Sequence, residues 1–146
     1  MFYKFQPVVT TGPDGTVIGF VNTSENDIQL IGEVDGWHWC WAPDDVEIPT
    51  QDPEINWQSV AAITETEKDQ LKSVSTLCRA VSTQMQEKIR ERYSMEDEQY
   101  FSRIGIGVAL GAYQFQPGEQ EALLAFGEYV ESVRVWGREQ RAKIGL

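Results

Sequence analysis

Residues 28–41 read IQLIGEVDGWHWCW, and this stretch decides how the N-terminal part of the chain folds. Asp35-Gly36 sits between two alternating, strand-forming runs, the strongest short-range signal for a hairpin closed by a two-residue type I′ turn. Such a loop pairs Val34 with Trp37, Gly32 with Trp39 and Leu30 with Trp41. Side chains alternate across a strand. Trp37, Trp39 and Trp41 are therefore expected on one face with Val34, Leu30 and Ile28, and that face is the expected core. His38 and Cys40 are expected on the opposite, outer face beside Glu33 and Ile31, with Glu33 and His38 forming a cross-strand ion pair or hydrogen bond.

N-terminal to this hairpin, FYKFQPVVT, the turn tetrad Gly12-Pro13-Asp14-Gly15 and TVIGFVN predict another hairpin, followed by the polar loop NTSEN. Residues 1–42 thus read as a small antiparallel β-meander. Residues 43–60, PDDVEIPTQDPEINWQSV, carry Pro43, Pro49 and Pro53 with five acids and little periodicity. They read as an acidic linker or wrapping loop, with Ile55 and Trp57 as anchors onto a neighbouring surface.

From Ala61 the periodicity becomes helical, and residues 61–146 read as a helical hairpin or three-helix bundle. Thr64-Glu65-Thr66-Glu67 is a capping box that starts a long helix. Leu71, Val74, Cys78, Val81 and Met85 form its apolar stripe, widened by Leu77 and Ile89, against a polar side that includes Lys68, Asp69, Ser75, Gln86 and Arg90. Ser94-Met95-Glu96-Asp97 caps a second, short helix running to about Arg103. Pro117, with Glu119 and Glu121 behind it, opens the last helix. Its stripe is Leu123, Phe126, Val130, Val133, Gly137, Gln140 and Ile144, and Gly145 is its expected stop. The whole is an α+β chain: an N-terminal β module, a linker and a helical module.

The 146 residues carry a net charge of −11, unevenly placed. Residues 1–60 hold ten acids against one base, Lys4, a balance of −9, whereas residues 61–146 hold thirteen acids and eleven bases, a balance of −2. Neither part has the basic footprint of a phosphate-backbone binder, so no nucleic-acid partner is expected. Apolar runs are far shorter than the roughly 20 residues that cross a bilayer, and the N-terminus lacks the apolar core of a signal peptide, so no membrane partner is expected. Cys40 and Cys78 lack C-x-x-C spacing and read as reduced, buried thiols.

Chemistry is sparsely signalled. One histidine and one cysteine two residues apart cannot complete a metal site, and no second histidine exists. A Cys-His nucleophile pair lacks an orienting partner, and no Ser/His/Asp set assembles around a lone strand histidine. Gly105, Gly107 and Gly111 in RIGIGVALGAY follow a helix and open no βαβ unit, so they predict a close helix approach or a connector and no dinucleotide site. No catalytic residue, metal or cofactor is assigned. A binding role is the expectation, with Trp37, Trp39, Trp41, Trp57 and Trp136 as the candidate partner-binding residues.

A strand-rich head containing PDGTVIGFVN, an acidic proline-bearing linker and a charged helical tail ending in WGREQRAKIGL resemble the small accessory proteins encoded beside bacteriophage tail-fibre genes, including tail-fibre assembly chaperones. The chain lacks the tryptophan- and proline-rich ending common among fibre chaperones. The resemblance implies a non-enzymatic protein of the host cytoplasm or the virion tail that binds the tail-fibre or another tail polypeptide. It would act as a transient chaperone or as a fibre- or baseplate-attached subunit, and the amphipathic helices are compatible with a homo-oligomer. The alternative is an acidic inhibitor whose −9 head mimics nucleic acid and blocks a DNA-binding enzyme. A hydrolase using Glu33, His38 and Cys40 is the third reading.

Overall fold

The computed structural model describes residues 1–7, 13 and 28–146. The expected N-terminal turn, the strand after it and the polar loop at 22–26 lie outside the described residues, Pro13 excepted. Strands β1 (Phe2–Phe5), β2 (Gln29–Val34), β3 (Trp37–Trp41) and β4 (Gln58–Val60) precede helices α1 (Glu65–Val74), α2 (Thr76–Arg92), α3 (Met95–Ala109) and α4 (Glu119–Ala142), an α+β layout. The described chain divides into two compact units, Met1–Arg79 with Arg141–Leu146, and Ala80–Gln140.

In the first unit the four strands form an antiparallel sheet in the order β2-β3-β1-β4. Asp35 and Gly36 both take positive φ, 51° and 76°, as a type I′ turn requires. The pairs Val34–Trp37, Glu33–His38 and Gly32–Trp39 form as expected, but the register then shifts between Leu30 and Gly32. Leu30 therefore lies opposite Cys40, not Trp41, and Ile31 occupies the bulge. One extra residue moves every following side chain to the other face. Ile31 joins Trp39 in the core, Ile28 packs with Cys40, and Leu30 is left 66 % exposed.

The tryptophan face is the main core. Ile31 and Trp39 pack with Leu71, Cys78, Ile144 and Leu146, and Phe2, Val34, Trp37 and Trp41 close around them. Burying Leu71 completely contributes about 2 kcal/mol before conformational entropy is counted. A Cβ on Gly32 would lie 2.7 Å from Val74 Cγ2, so a bare backbone at this point admits α1 against the strand.

The expected outer face is also covered. Phe5, Ile28, Cys40 and Ala42 are buried there, under Tyr3, Val46, Ile48 and Trp57. The segment read as a linker supplies this cover: its Pro53–Ile55 is a 3₁₀ turn with Ile55 buried, and β4 pairs with β1.

The helix expected to run unbroken from Thr64 is two helices. The capping box at Thr64 and Glu67 forms, but Ser75 takes an extended φ,ψ of −66°, 120°. Its Oγ accepts from the Cys78 backbone N–H at 3.2 Å, which starts α2 afresh. Ser75, placed by the sequence reading on the polar side, is buried for this reason.

In the second unit α3 begins at Ser94 with the expected box and continues past Arg103 to Ala109. Gly105 and Gly107 sit inside this helix, and Gly111 follows it at φ 71°; a Cβ on Gly107 would lie 2.8 Å from Tyr113 Cβ, so its bare backbone admits the segment that follows the helix. Helix α4 starts at Glu119, and Pro117 stands before it in a turn with Gly118 at φ 84°. Phe101, Ile104, Val133 and Gly137 are buried, and Tyr93 packs edge-on against Phe101 and Phe126 at 6.0 and 5.1 Å between ring centres.

Helix α4 ends at Ala142. Gly145 follows at φ 75°, and the Leu146 N–H returns to the Arg141 carbonyl at 3.1 Å, the Schellman arrangement. A Cβ on Gly145 would fall 2.6 Å from Trp41 Nε1 and 2.8 Å from Phe2 Cζ. Gly145→Ala is accordingly expected to cost about 2 kcal/mol through positive φ and overpacking, read as a lower urea midpoint with unchanged slope. An unchanged midpoint would show that this turn does not lock the core.

Candidate partner-binding surfaces

The five tryptophans do not form one surface. Trp37, Trp39 and Trp41 line the core face of β3, with Trp39 only 4 % exposed. Lys4, opposite Trp39 on β1, holds its ammonium 4.9 Å from the Trp37 ring centre and 5.6 Å from that of Trp39. Trp57 lies on the other face of the sheet, stacked on Tyr3 at 5.2 Å and Phe5 at 5.8 Å. Trp136, on α4 of the second unit, is half-buried with Lys88 4.8 Å from its ring centre.

His38 stacks on Phe5 at 5.3 Å and faces Glu33 with Nε2 to Oε2 at 3.7 Å. The expected cross-strand pair is therefore present, though an exposed pair of this length contributes little. Cys40 is 1 % exposed, and burial pushes its thiol up to about 12. A thiol so held is a poor nucleophile. Among the described residues no group of three or more His, Cys, Asp or Glu side chains is placed to hold a metal ion, and both cysteines are buried and outside any disulfide.

A polar cluster that the sequence reading missed ties α3 to the start of α4. Both Tyr100 and Tyr113 donate their hydroxyls to the Glu119 carboxylate, Tyr113 at 2.9 Å, and the Gln116 N–H donates to the same group at 2.7 Å. The Tyr100 hydroxyl comes first among the contacts that hold the Glu119 carboxyl below its ordinary range, and Glu119 in turn pushes Tyr100 up to about 12. Tyr100 stands 19 positions before Glu119, and the set belongs to no motif.

Also missed was the outer side of α3. Met95, Ile106 and Leu110 are exposed by 61, 61 and 77 %. At 100° per residue they fall on one side, opposite the buried Phe101 and Ile104. Ending the helix at Arg103 hid the spacing that joins them. Beside Met95 lies a groove of about 410 Å³ lined by Arg90, Glu98, Gln99, Ser102 and Arg103. Arg90 pairs with Glu98 at 2.6 Å. On α4, Leu124 and Val135 are exposed in the same manner on the side away from Val133 and Gly137.

Comparison with protein-family models, curated proteins and solved structures finds no match to this chain. No helix among the described residues is long and apolar enough to cross a membrane. Both sheet faces are covered, and the outer sides of α3 and α4 carry exposed apolar residues.

Two outcomes follow. Cys40 and Cys78 should resist an aromatic disulfide reagent at mildly alkaline pH until the chain is unfolded, and a rapidly labelled thiol in the native state would contradict the packing. The folded-state value of Glu119 is depressed, so its stabilisation is present above the ordinary carboxylate range and lost as pH falls through the lowered value. Glu119→Gln should therefore lower the urea midpoint at neutral pH, with the gap to the parent closing toward about pH 3. A gap independent of pH would remove the tyrosine–carboxylate account.

Proposed function

We propose that this is a non-enzymatic protein that binds another polypeptide, and that the polypeptide is a bacteriophage tail-fibre or other tail component. It would act as an assembly chaperone or as an attached subunit. The observation that carries the reading is the outer side of α3, where Met95, Ile106 and Leu110 stand exposed along a helix whose opposite side is packed. From Met95 to Leu110 the row spans about 22 Å, enough for several turns of a partner helix or a short extended segment.

Isolated exposed apolar residues are ordinary, but Ile106 and Leu110 stand one turn apart on the same side as Met95, and Gln99, Ser102 and Arg103 between them line a groove that gives this side a recess. The Arg90 and Arg103 head groups at the groove give it a polar rim. In this reading the row would cover apolar surface that the fibre polypeptide exposes before assembly and so keep it from aggregating. The layout resemblance supplies the tail-fibre partner; the helix side supplies the mode of contact.

Co-expression with a tail-fibre segment tests this. The parent should copurify with the segment and raise its soluble yield. Ile106→Asp with Leu110→Lys, both at exposed positions, should leave the helix signal unchanged and weaken capture by about tenfold or more, as losses at an interface centre do. Equal capture by parent and variant would refute the α3 surface, and failure of both to bind any fibre segment would refute the tail reading.

A further inference from the structure

The cleft beside Trp57 on the first unit is the strongest unassigned site. Its volume is about 520 Å³, and it is lined by Ile48, Pro49, Pro53 and Trp57, with Gln51, Asp52 and Asn56 as its polar members. That volume lies within the range of small-ligand pockets. We propose that this cleft receives a guanidinium, as the side chain of an arginine on a partner polypeptide. The proposal does not depend on which assembly the partner belongs to.

Three features of the segment around the 3₁₀ turn favour a planar cation. The indole of Trp57 is half-buried and fixed by its stacking with Tyr3 and Phe5, so it presents a rigid aromatic wall at little cost in side-chain entropy. Indole is the best of the aromatic faces for a cation, and arginine stacks on it more often than lysine does. Asp52 then supplies a carboxylate. Its Oδ1 accepts from the Glu54 N–H at 2.9 Å, which sets the orientation of the group, and Oδ2 has no hydrogen-bond partner among the described residues.

The third feature is the frame. Asn56 is held at φ 46°, ψ 52° in the left-handed region, with its amide donating to Gln6 Oε1 at 3.3 Å and its Oδ1 accepting from Gln58 Nε2 at 3.2 Å. The corner between the 3₁₀ turn and β4 is thereby braced from two strands' ends, and Trp57 follows directly from it. Ordering is already present before a ligand arrives.

Charge selects among ligands of similar size. No Lys or Arg lines the cleft, and residues 43–60 carry five acids and no base. An anionic ligand would be repelled. A neutral polyol would meet the same amide but gain nothing from the field, whereas a cation is drawn in and can use the open carboxylate oxygen. A guanidinium matches both walls at once: its plane suits the indole and its paired N–H groups suit the carboxylate.

The test is an NMR titration of the full chain, following the Trp57 indole N–H, which Trp57→Phe identifies by its loss. The probe is a blocked Gly-Arg-Gly tripeptide, with its Gly-Gln-Gly counterpart and glucose as separate arms. The arginine peptide should shift the Trp57 signal saturably, and Asp52→Asn, at an exposed position, should weaken that binding by about tenfold, the size of a lost charge-assisted hydrogen bond. Raising the salt to about 0.5 M should weaken it as well. Equal shifts with the glutamine peptide, a response to glucose alone, no saturable shift, or an undiminished affinity in Asp52→Asn would each overturn the assignment.

Discussion

Trp39 is the interaction on which the first unit depends. It stands at the middle of β3, with Gly32 opposite on one neighbouring strand and Lys4 on the other. Around it meet Leu71 of α1, Cys78 of α2 and the pair Ile144 and Leu146 that follow α4. The bulge at Ile31 is what completes this arrangement. Without the extra residue Ile31 would point to the opposite face, and the indole would lose an aliphatic neighbour on its own strand pair. Because residues 141–146 belong to the same unit as the sheet, the Schellman turn at Gly145 closes the core that the hairpin opens.

The consequence for function is a reassignment of what is available. A sheet with one bare aromatic face would be a docking platform. Here the three hairpin tryptophans are engaged with helices and the chain's last residues, and the other face lies under Tyr3, Val46, Ile48 and Trp57. Among the described residues Met1, Leu30 and Leu77 are exposed on the first unit, and the other large exposed apolar groups lie on the second, where Met95, Ile106, Leu110, Leu124 and Val135 stand on the sides opposite the buried stripes. Within that unit a small set of buried side chains and the Tyr93, Phe101 and Phe126 rings hold the helices, and the Tyr100, Tyr113 and Glu119 cluster fastens one helix end.

Much of this was legible in the residues. The Asp35-Gly36 turn, the boxes at Thr64 and Ser94 and the stop at Gly145 follow from local chemistry, since each depends on a few adjacent residues, while Ile55 and Trp57 stood out as anchors because they are apolar in an acidic segment. The failures occurred where tertiary packing overrode local preference. Gly32 in mid-strand was the available sign of irregularity, but a glycine alone does not say which residue bulges. The break at Ser75 depends on a buried hydroxyl accepting the Cys78 N–H, whereas the apolar spacing runs straight through it. Two glycines argued for ending α3 early at about 1 kcal/mol each, yet the close approach of Tyr113 to Gly107 gives that glycine a packing role inside the helix. The missed α3 side was a direct result, because Ile106 and Leu110 share a face only once the helix is carried past Arg103.

The central claim is that the tryptophan sheet is scaffold and the outer side of α3 is the binding surface. Hydrogen–deuterium exchange on the full chain, alone and with a tail-fibre segment in excess, tests it most directly. The account predicts that partner-dependent protection concentrates in peptides covering residues 95–110, with exchange in 37–41 already slow and unchanged. Protection gained in the β3 peptides with none along α3 would contradict it.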